Sequence, residues 1–207
     1  MVKNKMKKSK NFERELPRGY KEAFRLNARK KETIISLSIV SFIVTAVVFV
    51  LLLIPIFKSG IDLSGVNAFE FFIFYGVFIV ANLLYVALHE LTHGAVYKLM
   101  TGEKLTFGIT SAAAFCGVPN IYTYRRCALT ATLAPFVTYT FVIGVIVLFL
   151  SVLDPLYYIG FSFIFALHLG GCVGDLYLSY VLITRFKDKD TLMKDTGPEQ
   201  IIYKKKK

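Results

Sequence analysis

Charge is missing from four long stretches of the 207-residue sequence. Residues 34–57, 71–88, 127–153 and 155–174 contain no Asp, Glu, Lys or Arg. About 20 apolar residues cross roughly 30 Å of hydrocarbon. Four membrane spans are therefore expected, and a large soluble domain is not. The first run begins more than thirty residues in. It is longer than a signal-peptide core of about 7–15 residues and has no A-x-A exit, so it reads as a span and not as a cleavable leader. Cysteine is scarce. Cys116, Cys127 and Cys172 form an odd set with no C-x-x-C spacing, which argues against a disulfide framework and for small, reduced, apolar fillers. No internal repeat is present, and no biased segment beyond the lysine-rich ends.

Acidic residues are also few: 14 Asp and Glu against 25 Lys and Arg, a net charge of +11. The excess sits at the ends. Lys3, Lys5, Lys7, Lys8, Lys10, Arg14, Arg18, Lys21, Arg25, Arg29, Lys30 and Lys31 precede the first span; Arg185, Lys187, Lys189, Lys194 and Lys204–Lys207 follow the last. By the positive-inside tendency both ends are expected in the cytoplasm of a multi-pass cell-membrane protein. Their expected partner is anionic lipid and not nucleic acid. The organisation that follows is a basic cytoplasmic tail over 1–33, a four-span domain over 34–184 and a second basic cytoplasmic tail over 185–207. The first tail reads as weakly helical, interrupted by Pro17 and Gly19. The connection 101–126 carries β-rich pieces, LTFGI and NIYTY, and a GVPN turn signal. The fold class is thus an all-α membrane protein of four transmembrane helices, with a small β-hairpin or re-entrant loop between spans 2 and 3.

Against this apolar background the segment ALHELTHGAVY, residues 87–97, is anomalous. It holds two of the three histidines and a glutamate, and ionisable groups inside spans are expensive and usually functional. His89-Glu90-Leu91-Thr92-His93 fits H-E-x-x-H. On a helix, positions i and i+4 share a face, so both imidazoles reach one cation, and the glutamate beside them reaches a water on it. A Zn2+ cofactor is therefore expected, with Glu90 as general base. A catalytic zinc takes three protein ligands. His168 and Asp175, in ALHLGGCVGDLYL, are the remaining candidates inside spans. At about 1.5 Å per residue, Leu91 lies roughly 33 Å along the second span, Asp175 roughly 28 Å along the fourth and His168 roughly 18 Å. Asp175 matches the level of the pair. His168 is kept as an alternative ligand or supporting group, reachable if the Gly170–Gly171 pair breaks the helix. Asn82, Arg125 and Arg126 are candidate substrate-binding residues. Bundle contacts for Asn82 and boundary charge for the arginines explain them as well.

The motif, the β-rich connection, a span opening ALTATLAPF and a span with a late aspartate together resemble the site-2 group of intramembrane zinc metalloproteases. More closely, the four-span size and HELTHG resemble the bacterial membrane zincin peptidases, over about Phe69 to Thr184. The resemblance implies His89, His93 and Asp175 as metal ligands, Glu90 as base, and a membrane protein or peptide as substrate. Departures are present. Asp175 precedes Leu176 where the site-2 group has glycine, His168 stands near where an Asn is expected, LAP lacks its preceding glycine, and no PDZ-like insertion occurs. The expected activity is zinc-dependent peptide hydrolysis at or within the inner leaflet. The competing readings are a zinc-binding regulatory protein without catalysis and a small metal transporter.

Overall fold

The structure, a computed structural model, describes residues 11–59, 67–110, 113–151 and 154–206. The lysines of residues 3–10 and the loop 60–66 lie outside the described residues. Helices form where charge is missing. α1 covers Lys31–Ser59, α2 Ala68–Thr101, α3 Arg125–Leu150, α4 Pro155–Gly171 and α5 Val173–Thr184. Taking α4 and α5 as one span, four helices are long and apolar enough to cross a membrane. Their outer faces carry exposed Phe42, Phe72, Leu83 and Phe141, as lipid contact requires.

The helix ends are set locally. The Asn67 side chain accepts from the Glu70 N–H and the Glu70 carboxylate accepts from the Asn67 N–H, a reciprocal cap that satisfies two orphan donors. α2 stops at Gly102, whose φ of 73° is a left-handed terminus. Asp154 caps α4 by accepting from the Leu156 and Tyr157 N–H groups, and Pro155 fits the first turn because no partner awaits its nitrogen. The fourth span is broken at Cys172, a single turn residue between α4 and α5. At Gly170 a Cβ would lie 2.1 Å from Thr45 Oγ1 and 2.7 Å from the Ser41 carbonyl of α1. Glycine there lets α1 and α4 meet at backbone distance.

The all-α expectation holds for the spans and fails at one end of the bundle. Among the described residues seven strands form there: β1 Phe12–Glu13, β2 Tyr20–Asn27, β3 Thr106–Ile109, β4 Ala114–Gly117, β5 Tyr122–Tyr124, β6 Leu192–Asp195 and β7 Glu199–Lys205. β3 and β4 make the hairpin expected after the second span. The other five build one antiparallel sheet in the order β1-β5-β6-β7-β2. The segments read as tails are therefore its strands, and the first is not helical. In β2 the residues alternate, with Phe24 and Leu26 turned inward and Arg25 outward, a period that suits a half-buried strand. Leu26, Met193 and Ile202 pack with Ala128, Leu178, Val181 and Leu182 of α3 and α5. Each of these buried aliphatic side chains contributes roughly 1.5–3 kcal/mol, so the sheet is fastened to the end of the bundle that carries the HELTH motif.

Candidate metal centre

One face of α2 carries Tyr85, His89, His93 and Tyr97 at four-residue spacing, so all four point into the bundle. His89 and His93 are buried, each 8% exposed. Asp175 comes from the first turn of α5, where the N-terminal end of a helix favours a carboxylate. Its Oδ2 lies 3.3 Å from His89 Nε2 and 3.4 Å from His93 Nε2. The depth count that paired Asp175 with the two histidines is matched by this convergence.

The donor set fits a metal ion. The Nδ1 of His93 lies 2.8 Å from the Ala131 carbonyl. A carbonyl only accepts, so Nδ1 carries a proton, and the ring in its neutral form presents the Nε2 lone pair to a cation. That carbonyl is free because Pro135, four residues on, has no N–H to give it. A lone pair and a carboxylate oxygen 3.4 Å apart attract only through something positive placed among them. Ligand atoms about 2.0–2.1 Å from zinc in a tetrahedron lie roughly 3.3–3.4 Å from one another. The observed spacings match that edge and exceed the roughly 2.7–2.9 Å of a charge-assisted hydrogen bond.

Glu90 lines the same cavity, a space of about 450 Å³ between α1, α5, β4 and the turn 195–198. Its carboxylate is within hydrogen-bond reach of the Cys116 backbone N–H in β4. In the hairpin the Thr110 N–H donates to the Ala113 carbonyl. By antiparallel alternation the Ala114 and Cys116 backbone groups then face away from β3. The free edge of β4 is thus turned to the cavity. Gly94, directly after the second histidine, makes this approach possible, since a Cβ there would meet Phe107 at 2.9 Å, Leu105 at 3.0 Å and Cys116 at 3.2 Å. The Cys116 thiol is pushed up to about 12 by burial, which leaves it protonated and unsuited to nucleophilic work.

Beneath the cavity the Tyr97 hydroxyl donates to Asp195 Oδ2 at 2.8 Å, and the Gly197 N–H donates to Oδ1 at 2.9 Å. Burial pushes the Asp195 carboxyl up to about 6 despite these donors. The Val118 N–H bonds the Asp195 carbonyl at 2.9 Å. A Cβ on Gly117 would lie 2.4 Å from the Gly197 nitrogen, so hairpin and turn are in backbone contact. Sequence reasoning missed Asp195 and the 195–198 turn, although an Asp-Thr-Gly-Pro run is a turn signal. It also missed the service Pro135 performs, which counting four residues back from the proline reveals.

The remaining candidates lie elsewhere. His168 is fully buried, with Tyr85 and Thr140 as partners of its two ring nitrogens; it does not join the His–His–Asp group. Asn82 donates to the Phe78 carbonyl of its own helix at 2.9 Å. Arg125 Nε donates to the Leu182 carbonyl at 2.9 Å, tying α3 to α5. Arg126 is exposed. None of these three lines the cavity. Backbone acceptors engage Asn82 and Arg125, and Arg126 sits at the start of α3.

A family profile described as Putative zincin peptidase matches residues 82–189, just over half the chain. The chain belongs to this family. The zincin match begins within the stripe of α2 that carries the motif and takes in the hairpin, α3, α4 and α5. Among curated proteins and solved structures nothing matches. Zinc is the metal this zincin family implies, and His89, His93 and Asp175 are the residues whose spacing accepts it.

Proposed function

We propose that this zincin is an integral membrane metallopeptidase that hydrolyses peptide bonds at or within the inner leaflet, with Glu90 as general base. The observation that carries the reading is the convergence of His89 Nε2 and His93 Nε2 on Asp175 Oδ2 beside the Glu90 carboxylate. Zinc held by those three residues would supply Lewis acidity to a water molecule and to the scissile carbonyl. The Glu90 carboxylate accepts the proton of the attacking water and returns it to the departing amine. Asp175 offsets part of the cation's charge, and the two imidazoles leave it net positive. An extended substrate adds to the free edge of β4, where backbone groups hold the chain whatever its side chains. α1 and the 195–198 turn close the cavity on the other sides and limit the water in it. Both ends of the chain are cytoplasmic in this reading, which brings water from the cytosol. Lysines and arginines of the sheet face the anionic headgroups of the same leaflet.

The test is metal analysis of the purified full chain beside cleavage of a membrane-protein substrate. Wild type is expected to carry one equivalent of zinc. Glu90→Gln is expected to keep the zinc and lose cleavage by about 10²–10⁴-fold. Zinc content unchanged in His89→Ala, or cleavage undiminished in Glu90→Gln, would refute the assignment. Zinc retained with no peptide cleaved by wild type would favour the regulatory reading.

A further inference from the structure

The outer nitrogen of His93 is held by the Ala131 carbonyl, but no backbone group among the described residues serves His89. Instead the Tyr85 hydroxyl, one turn earlier on α2, lies 3.2 Å from His89 Nδ1. The same hydroxyl lies 2.9 Å from His168 Nδ1 on α4, and His168 Nε2 lies 3.0 Å from Thr140 Oγ1 on α3. The series draws on three helices. His168 is completely buried and walled by the rings of Tyr85, Phe136, Tyr139 and Phe165, at centroid distances of 5.5–6.3 Å. A dry histidine with both nitrogens engaged is specified, since its unmet polar groups would be costly there.

Each link carries one proton, so two polarities satisfy the whole series. In one, the His89 Nδ1–H donates to Tyr85, the Tyr85 hydroxyl donates to His168 Nδ1, and the His168 Nε2–H donates to Thr140. This leaves His89 Nε2 bare and aimed at the metal position. In the other polarity every donor reverses, and His89 Nε2 carries a proton directed at Asp175 Oδ2. Only the first admits a cation.

Resting on the zinc assignment above, we propose that Tyr85, His168 and Thr140 form a hydrogen-bonded chain that sets the tautomer of His89 and so holds its Nε2 lone pair on the metal. They are positioning residues. They touch neither the metal nor the substrate, and they act through His89. His89, His168 and Cys172 also place ligand atoms within 4.8 Å of one another. The Tyr85 hydroxyl already bonds both Nδ1 atoms of that group, and Cys172 Sγ stands 3.6 Å from His168 Nδ1. A proton on Tyr85, and not a second cation, joins the two rings.

Zinc affinity of the purified full chain in detergent, measured by competition with a chromophoric chelator, tests this. Outer partners of metal-bound histidines are worth about 10- to 100-fold in affinity. Tyr85→Phe and His168→Leu are each expected to weaken zinc binding by that amount. The double variant is expected to be no weaker than either single one, because one chain is broken once. His168→Gln, whose amide both accepts and donates, is expected to restore affinity to within a few-fold, which a space-filling role would not predict. With only three histidines in the chain, ¹⁵N-histidine spectra of zinc-loaded protein resolve the tautomer directly. His89 is expected protonated at Nδ1 in wild type, and the signal is expected to broaden or split in Tyr85→Phe. Zinc affinity within twofold of wild type in Tyr85→Phe would overturn the proposal. So would complete loss of stoichiometric zinc in His168→Leu, which would make His168 a ligand, or the disappearance of a second equivalent. A wild-type chain that binds no zinc would overturn the metal assignment itself, a result distinct from any of these.

Discussion

Replacing Asp175 with asparagine changes one oxygen for one NH2 and almost nothing in size. Its effects on metal and on fold should run in opposite directions. In the metal-free protein the carboxylate faces two imidazole nitrogens at 3.3 and 3.4 Å, and in the neutral form of His93, with its proton on the Nδ1 bonded to Ala131, the facing Nε2 is a bare lone pair. An amide in the same place donates to that lone pair, so at alkaline pH, where the ring is neutral, Asp175→Asn should fold at least as stably as metal-free wild type. Zinc binding should fall steeply. Structural zinc sites bind with about 10–16 kcal/mol over four ligands, so one ligand is worth about 2.5–4 kcal/mol, or roughly two to three decades in affinity. The two assays are chelator competition for zinc and thermal unfolding in detergent after metal removal. Zinc affinity within about threefold of wild type would show that the carboxylate does not hold the metal. A large loss of metal-free stability would show that Asp175 serves the fold instead.

Two further predictions concern the neighbours of the site. Pro135→Ala restores an N–H that bonds the Ala131 carbonyl within α3 and competes with the His93 Nδ1–H. Removing a mid-helix proline is worth up to about 3 kcal/mol to the helix, so the variant should melt higher yet bind zinc more weakly, and unchanged zinc affinity would refute this account of the proline. Asp195 has its carboxyl raised to about 6 by burial. The folded state then holds the proton more tightly than the unfolded one, so stability is greatest below about 3.9 and is lost as pH rises through about 6. Two units correspond to roughly 3 kcal/mol. Melting of metal-free wild type compared with Asp195→Asn between pH 4 and 7 should show this slope in wild type alone, and parallel profiles would refute it.

The four long apolar helical stretches were legible because absence of charge over about twenty residues has few other meanings. The convergence of Asp175 on the histidine pair was legible from helical rise alone. His168 was kept as an alternative ligand or supporting group because the count took the fourth span as one continuous helix, and only a break could bring it near. The chain turns at Cys172, and His168, near the end of α4, reaches Tyr85 and stands next to the site without entering it. The sheet was hidden for a different reason. β1, β5 and β6 have two, three and four residues, too few for a period to show, and lysine and arginine dominate the flanking sequence. Its β2 and β7 are also joined by the side chains of Arg25 and Glu199, 174 positions apart, which no local pattern encodes. Arg125 reads as a free cation in sequence because the Leu182 carbonyl it bonds belongs to another helix.

The Asp195–Pro198 turn has a temporal meaning. It walls the cavity, yet the ribosome makes it after every helix of the bundle, and β7, which pins it to β2, is made later still. A nascent chain with all five helices made already owns His89, Glu90, His93 and Asp175 but still lacks one side of the chamber around them.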